Sequence, residues 1–356
     1  MAYLFQPLRL RDIEFANRIV VSPMCQYSCV DGFANEWHMV HLGSRAVGRA
    51  GAVLAEATAI TPEGRISPKD LGIWSDAHIE PLRRAFSFIT SQGSVPGIQL
   101  AHAGRKASTS EPWKGGKPLS PVEGGWIPIF APSAVAFNDN FQVPQALTVA
   151  QIAGIVKAFA EAARRAEAAG AKVVEIHSAH GYLLHSFLSP LSNHRQDEYG
   201  GTFENRTRAL REVVIAVRKV WPERYPLFLR ISASDWIEGG WTVEDSVALA
   251  KAVKPLGVDV VDCSSGGVVP HARIPLGPGY QVPFAQRLRS DAAIATGAVG
   301  MITDPAQADQ IIRMEQADLV FLARQLLREP YWPLQAARAL GHEIQWPPQY
   351  DRARPK

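Results

Sequence analysis

Cysteine is scarce: Cys25, Cys29 and Cys263 stand alone among 356 residues. An odd, sparse count supports no disulfide framework and suits a reducing compartment, so a cytoplasmic location is expected. Cys25 and Cys29 are spaced C-x3-C, but Gly32 falls where a third thiolate of an iron–sulfur cluster would stand. The pair therefore makes neither a cluster nor a zinc site by itself. Excess charge is lacking too, since 37 Lys and Arg oppose 34 Asp and Glu for a net +3. Neither nucleic acid nor an anionic membrane finds a concentrated basic face, and neither is an expected partner. No apolar run reaches the roughly 18 residues of a bilayer span. The opening residues 1–12 have no long apolar core, so no secretory signal is expected. Gly-x-Gly-x-x-Gly, the P-loop and Gly-x-Ser-x-Gly are missing, which disfavours a Rossmann fold and a hydrolase nucleophile elbow.

The composition that remains, 47% apolar and 20% charged, is that of a globular protein. At roughly 150 residues per domain the chain would divide in two or three, yet α/β barrels of 250 residues or more fold as one unit. Short apolar, β-branched segments recur at residues 18–21, 52–58, 97–102, 173–177, 227–231, 258–263, 293–296 and 319–322. Most are continuous apolar runs, as parallel strands covered on both faces require. Helical periods fill many of the intervals. Thr148 and Gln151 form a capping box ahead of Ile152, Ile155, Val156 and Phe159, with Gly170 as the stop. Leu210, Val213, Val214 and Val217 make one apolar stripe. Ser75 is placed to cap a helix carrying Ile79, Leu82, Phe86 and Ile89, and Thr303-Asp-Pro305 puts proline in a first turn. The expected fold is α/β, a (β/α)8 TIM barrel spanning 1–356 as a single domain, with an open doubly wound sheet as the alternative. Residues 103–147, rich in Gly, Pro, Ser and Trp, are too long for a connection and read as a loop or lid inserted after strand 3. Residues 340–356 form a C-terminal extension.

Polar residues gather at the strand ends, where such barrels keep their chemistry. In order these are Cys25, Glu56, Gln99 with His102, His177 with His180, Arg230, Ser264, Gly297 and Arg324. Gly297 and Gly300 follow the seventh segment and Arg324 the eighth. Glycine admits backbone N–H groups to an oxyanion and arginine neutralises it, so a phosphorylated cofactor or substrate is expected there. His177-Ser-Ala-His180-Gly-Tyr182 places two donors near one oxygen, with a phenol beside them. A zinc reading would recruit His185, His194, Glu175 or Glu56, but carboxylates and histidines from several strands are not evident, and no metal is expected. His38 and His102 read as structural residues.

Longer motifs carry a resemblance. They are Asn17-Arg-Ile-Val-Val-Ser-Pro-Met-Cys-Gln-Tyr27, Gln99-Leu-Ala-His-Ala-Gly-Arg-Lys106, Glu175-Ile-His-Ser-Ala-His-Gly-Tyr182, Ser189-Pro-Leu-Ser-Asn-His-Arg195, Asp197-Glu-Tyr-Gly-Gly201, Asp262-Cys-Ser-Ser-Gly266 and Gln349-Tyr-Asp-Arg352. In that order they resemble the flavin-dependent ene reductases called Old Yellow Enzymes, in their thermophilic-like class. The resemblance implies an FMN-containing barrel that takes hydride from NADPH or NADH and reduces the C=C bond of enones and enals. It implies that Ser22, Pro23, Met24 and Cys25 line the flavin, that Ala57 and Gln99 hold its ring, and that Arg230 stands by the N1–C2=O edge. Ser264, Gly266, Gly300, Ala323 and Arg324 complete the cofactor set, the last three towards the phosphate. His177 and His180 would hold the substrate carbonyl, Tyr182 would protonate the α-carbon, and Tyr27 would shape the substrate side. Arg352 matches an arginine that enters a neighbouring subunit's site, implying a homodimer or homotetramer. Two other readings stay open: a metal-dependent hydrolase or lyase using His177, His180 and Glu56, and a non-catalytic flavin- or phospho-ligand-binding protein.

Overall fold

The computed structural model describes residues 2–354. Eight parallel strands close into a barrel: β1 (Ile19–Val21), β2 (Ala52–Ala59), β3 (Val95–Ala101), β4 (Val173–Ser178), β5 (Leu227–Ser232), β6 (Val260–Ser264), β7 (Ala295–Val299) and β8 (Leu319–Leu322). Each hydrogen-bonds to its neighbours in sequence, and β8 returns to β1 through Phe321 opposite Val20. A helix follows each strand: α1 (Glu36–Val47), α2 (Ile79–Ser91), α3 (Val149–Ala168), α4 (Phe203–Val220), α5 (Val243–Val253), α6 (Val282–Ala292), α7 (Pro305–Arg313) and α8 (Trp332–Ala339). Nearly every strand residue is buried, as continuous apolar runs between barrel interior and helix layer demand. Among the described residues no helix is long and apolar enough to cross a membrane.

Local signals place most helix starts. Thr148 Oγ1 accepts the Gln151 N–H at 3.3 Å while Gln151 Oε1 accepts the Thr148 N–H at 2.8 Å, the reciprocal capping expected there. Asp304 Oδ1 accepts the Ala306 and Gln307 N–H groups at 2.9 and 3.1 Å ahead of Pro305. Ser75 caps a single 3-10 turn, Asp76–His78, that leads into α2, one turn earlier than the apolar stripe indicates. The seventh strand also departs from expectation. Ala293 is left-handed (φ 50°) and ends α6, and the strand runs through Gly297 to Val299. Gly297 is a strand residue because the Phe321 ring of β8 occupies the place of a side chain: a Cβ there would stand 2.3 Å from Cε2. Gly300 alone is left to the loop.

The insertion 103–147 holds short 3-10 turns at Gly104–Lys106, Pro112–Lys114 and Pro121–Glu123, and a two-residue parallel ladder of Phe130–Ala131 with Gln145–Ala146. At the opposite end an antiparallel hairpin, Leu8–Leu10 with Ile13–Phe15, covers the barrel floor. Phe15 stacks on Phe228 with centroids 6.2 Å apart, and Phe228 meets Phe321 at 6.4 Å. All three rings are at most 1% exposed. Removing a ring from so dense a plug leaves a cavity, so Phe228→Ala should cost about 3–5 kcal/mol. A lowered urea midpoint with an unchanged m-value checks it.

Candidate active site

The chain leaves β1 through Ser22–Cys25, and these residues form one wall of the mouth. The Ser22 N–H donates to Leu322 O at 3.1 Å, and its hydroxyl accepts Arg230 Nη1 at 3.1 Å. Arg230, on β5, is register partner to Asp262 on β6, and its Nε lies 3.1 Å from Asp262 Oδ2. Both side chains are buried. Across the barrel Gln99 (β3) pairs with Glu175 (β4), its Nε2 donating to Oε1 at 2.7 Å. Burial pushes Glu175 up to about 8, helped by Asp262 and opposed by Arg230. Burial likewise takes Asp262 to about 6 against the pull of Arg230. One guanidinium thus serves two carboxyls, and at neutral pH the pair retains a proton.

A bulge in β2 separates two neighbouring residues with different duties. Ala55 pairs with Ile98 and Ala57 with Gln99, leaving Glu56 as the extra residue. Glu56 turns to α1: its Oε1 lies 3.2 Å from His38 Nε2, and its Oε2 accepts the Gln26 N–H at 2.9 Å. It therefore fixes the segment between Cys25 and Tyr27 rather than facing the mouth. His38 Nε2 also lies 3.4 Å from Cys29 Sγ. His102 Nδ1 accepts the Gly104 N–H at 3.0 Å, steadying the start of the insertion.

β4 delivers the histidine pair. The rings of His177 and His180 lie 5.2 Å apart at 88°, and Tyr182 stands edge-on to His177 at 5.0 Å. His177 Nδ1 accepts the Ala179 N–H at 3.3 Å, so its proton belongs on Nε2. His180 Nε2 lies 2.6 Å from Ser264 Oγ, which commits Ser264 to this side of the mouth. His180 has φ 59°, a left-handed conformation that a side chain adopts only when its surroundings insist. Its N–H donates to Ser232 Oγ at 2.9 Å, and its carbonyl accepts Lys106 Nζ at 2.8 Å. Burial holds both histidines far below the ordinary imidazole value, and Arg230 pushes them lower, so both are neutral. Burial keeps the Tyr182, Tyr27 and Cys25 protons on.

Sequence reasoning missed Arg105 and Lys106. Both are tied to carbonyls with no carboxylate: Arg105 to Val135 and Ala136, each at 3.2 Å, and to Val268, and Lys106 to His180 and to Gly267 at 2.5 Å. They bind the insertion to the loops after β4 and β6. Burial, with Arg105 nearby, lowers Lys106 to about 7. The signal available was two adjacent cations opening a Gly- and Pro-rich stretch; their burial depends on loops 30 to 160 residues away.

Two of the cavities on this end carry the candidate residues. One, about 320 Å³, is lined by Tyr27, Lys106, Tyr182, Phe137 and Phe141, with Trp113 edge-on to Tyr27 nearby. The other, about 230 Å³, lies between β7 and β8 and is lined by Gly300, Ala323, Arg324 and Arg328. Gly300 has φ 121°, and a Cβ there would meet Gln281 Nε2 at 2.8 Å. Arg324 is exposed and forms no hydrogen bond or ion pair. A free cation beside such a cradle can take a phosphate. Glu175 Oε2, on the face of β4 that also carries the Gln99 contact, is buried without a partner. A polar heterocycle carrying a phosphate, as FMN does, fits this donor set. The candidate zinc ligands scatter instead: Glu56 to His38, Glu175 to Gln99, His185 to Asp235, and His194 to the exposed face. Among the described residues no three His, Cys, Asp or Glu side chains converge to hold a metal. Arg352 sits on an exposed short helix, Pro348–Ala353, and lines neither cavity. Pro23, Met24 and Gly266 lie in the mouth loops, with Gly266 O accepting Ser232 Oγ at 2.8 Å.

Residues 3–343 match the NADH:flavin oxidoreductase / NADH oxidase family. NADPH dehydrogenases from Geobacillus sp. (strain WCH70) and Bacillus licheniformis are each 52% identical to this chain, covering 98% of it and 98% of their own length. Among solved structures, morphinone reductase superposes with a TM-score of 0.79 at 26% identity, over 98% of this chain and 92% of that one. The Old Yellow Enzyme homologue of Zymomonas mobilis gives 0.78 at 25%, over 96% and 94%.

The raised Glu175 has a consequence for stability. Its folded value, about 8, exceeds the ordinary 4.5, so its contribution is complete below 4.5 and is lost as pH rises through 8. Glu175→Gln should therefore flatten the fall in Tm across that interval, read by thermal denaturation at several pH values.

Proposed function

Because the chain belongs to the NADH:flavin oxidoreductase / NADH oxidase family, that of the Old Yellow Enzymes, and is an FMN-dependent NADPH oxidoreductase, we propose that it reduces the C=C bond of α,β-unsaturated carbonyl compounds. The observation that carries this reading is the placement of a protonated Tyr182 beside two neutral histidines, across the same mouth from a phosphate-sized cradle. FMN bound there would supply hydride-transfer chemistry, with NADPH or NADH as the reductant. Gly300, Ala323 and Arg324 would hold its phosphate, Ser22–Cys25 and Ala57 would line its ring, and Gln99 and Arg230 would meet its polar edge.

The remaining chemistry is the protein's own. His177 donates through Nε2–H to the carbonyl oxygen, where negative charge develops, and His180 stands beside it with Nε2 2.6 Å from Ser264 Oγ. Donors already in place and screened from water stabilise such charge by about 3 kcal/mol each. Their neutrality matters: a protonated imidazole beside buried Arg230 would add cationic repulsion in the resting mouth. Tyr182 gives its proton to the α-carbon, and Lys106, with Nζ 5.7 Å from the phenol centroid, faces the charge left behind. Tyr27 and the Phe137 and Phe141 rings shape the apolar side. The assembly we favour is a homodimer or homotetramer in which the exposed Arg352 enters a neighbouring copy's mouth.

The decisive experiment is the visible spectrum of the purified protein. A flavin band that bleaches with anaerobic NADPH and returns with 2-cyclohexenone supports the reading; a band that never bleaches leaves a binding protein. Tyr182→Phe should slow the return by about 100-fold while bleaching proceeds unchanged. His177→Ala should weaken binding of phenols, which mimic the enolate, by roughly tenfold or more, followed by spectral titration.

A further inference from the structure

A third histidine lies behind the catalytic turn and takes no part in the chemistry above. His185, on the short helix Leu183–Leu188, is fully buried, and both its ring nitrogens are engaged. Its Nδ1 accepts the Gly181 N–H at 2.8 Å. Its Nε2 lies 3.0 Å from Asp235 Oδ1. Asp235, in the loop after β5, is also fully buried, and its Oδ2 accepts Ser189 Oγ–H at 2.6 Å and the Trp241 N–H at 2.7 Å. Burial alone would raise this carboxyl, but His185 and the two donors hold it below the ordinary value, so it is ionised. A carboxylate at Nε2 demands the proton there and leaves Nδ1 as a bare lone pair. That tautomer, and no other neutral one, accepts the Gly181 N–H.

The bond matters because of where Gly181 stands. His180 and Gly181 are consecutive left-handed residues, at φ 59° and 76°, directly before Tyr182. A Cβ on Gly181 would stand 2.2 Å from Gly267 O, so the backbone is pressed against the loop after β6. A turn of this kind persists only where neighbours over-determine it. His180 has Ser232 and Lys106 for that purpose, and the Gly181 carbonyl accepts Ser186 Oγ–H at 3.0 Å. The Gly181 N–H depends on His185.

We propose that Asp235 and His185 are positioning residues for Tyr182: Asp235 fixes the His185 tautomer, His185 holds the Gly181 N–H, and the aim of the Tyr182 hydroxyl follows. The inference rests on the proton-donor reading of Tyr182, and the test separates the two. Flavin-loaded parent, Tyr182→Phe, His185→Leu, His185→Asn and the Tyr182→Phe/His185→Leu double variant are each reduced by NADPH and reoxidised by 2-cyclohexenone. His185→Leu should slow reoxidation by roughly 10- to 100-fold with reduction within about twofold of the parent, the effect of a small misplacement of a catalytic group. Asparagine offers Oδ1 near the place of Nδ1, so His185→Asn should recover most of the rate. In the double variant His185→Leu should add nothing to Tyr182→Phe, because the group it aims is gone. Parent-like reoxidation in His185→Leu beside a slow Tyr182→Phe overturns this inference and leaves the proton donor standing. Parent-like reoxidation in Tyr182→Phe overturns both. Hydrogen exchange at the Gly181 amide reads the same bond without turnover: it should be faster in Asp235→Asn than in the parent, and unchanged exchange would also overturn the proposal.

Discussion

The mouth of this barrel is organised around one buried cation. Arg230 stands between Ser22 and Asp262 with almost no access to water. Taking a guanidinium out of water costs several kcal/mol unless partners surround it. Its charge acts on titratable groups around it: it lowers His177 and His180, opposes the rise of Glu175 and Asp262, and pulls against the upward shift of Tyr182. Two carboxyls below and two imidazoles above therefore take their protonation from the same charge. With one proton kept by the carboxyl pair, the buried guanidinium and that pair balance to no net charge, and the two imidazoles stay neutral beside them.

The architecture was legible where one physical requirement dominated. The segment 319–322 coincides with β8 because a doubly covered strand can be nothing but apolar. Thr148 with Gln151 and Asp304 with Pro305 mark helix starts because capping is settled within four residues. The seventh strand was set too early because Gly297 reads locally as a loop residue; the Phe321 ring that makes glycine necessary comes from the next strand. Of the site, the strand-end residues were visible as a pattern, and their motifs placed them in a family. What could not be read was orientation. The bulge that sends Glu56 to α1 and keeps Ala57 opposite Gln99 is invisible in the run of residues 52–58. Arg105 and Lys106 look like surface cations until loops far along the chain supply carbonyls for them. His185 and Asp235 are fifty residues apart and meet only through the barrel's closure.

Lys106 and Arg105 also show how the long insertion belongs to the barrel. Their carbonyl partners come from Val135 and Ala136 of the insertion and from the loops after β4 and β6, so the insertion is fastened at its root, while its outer turns carry exposed Trp113, Val122 and Ile127. The root is thereby fixed by buried cations while the rim is left open to solvent.

The aromatic plug on the barrel floor bears on the order of events. With Phe15, Phe228 and Phe321 closing that end, access to the mouth is left to the opposite end, where the cavity beside Tyr27 and Tyr182 opens. On the proposed reading, reductant and acceptor enter by that one doorway and each competes with the other for the threshold: traffic through a cul-de-sac is a queue.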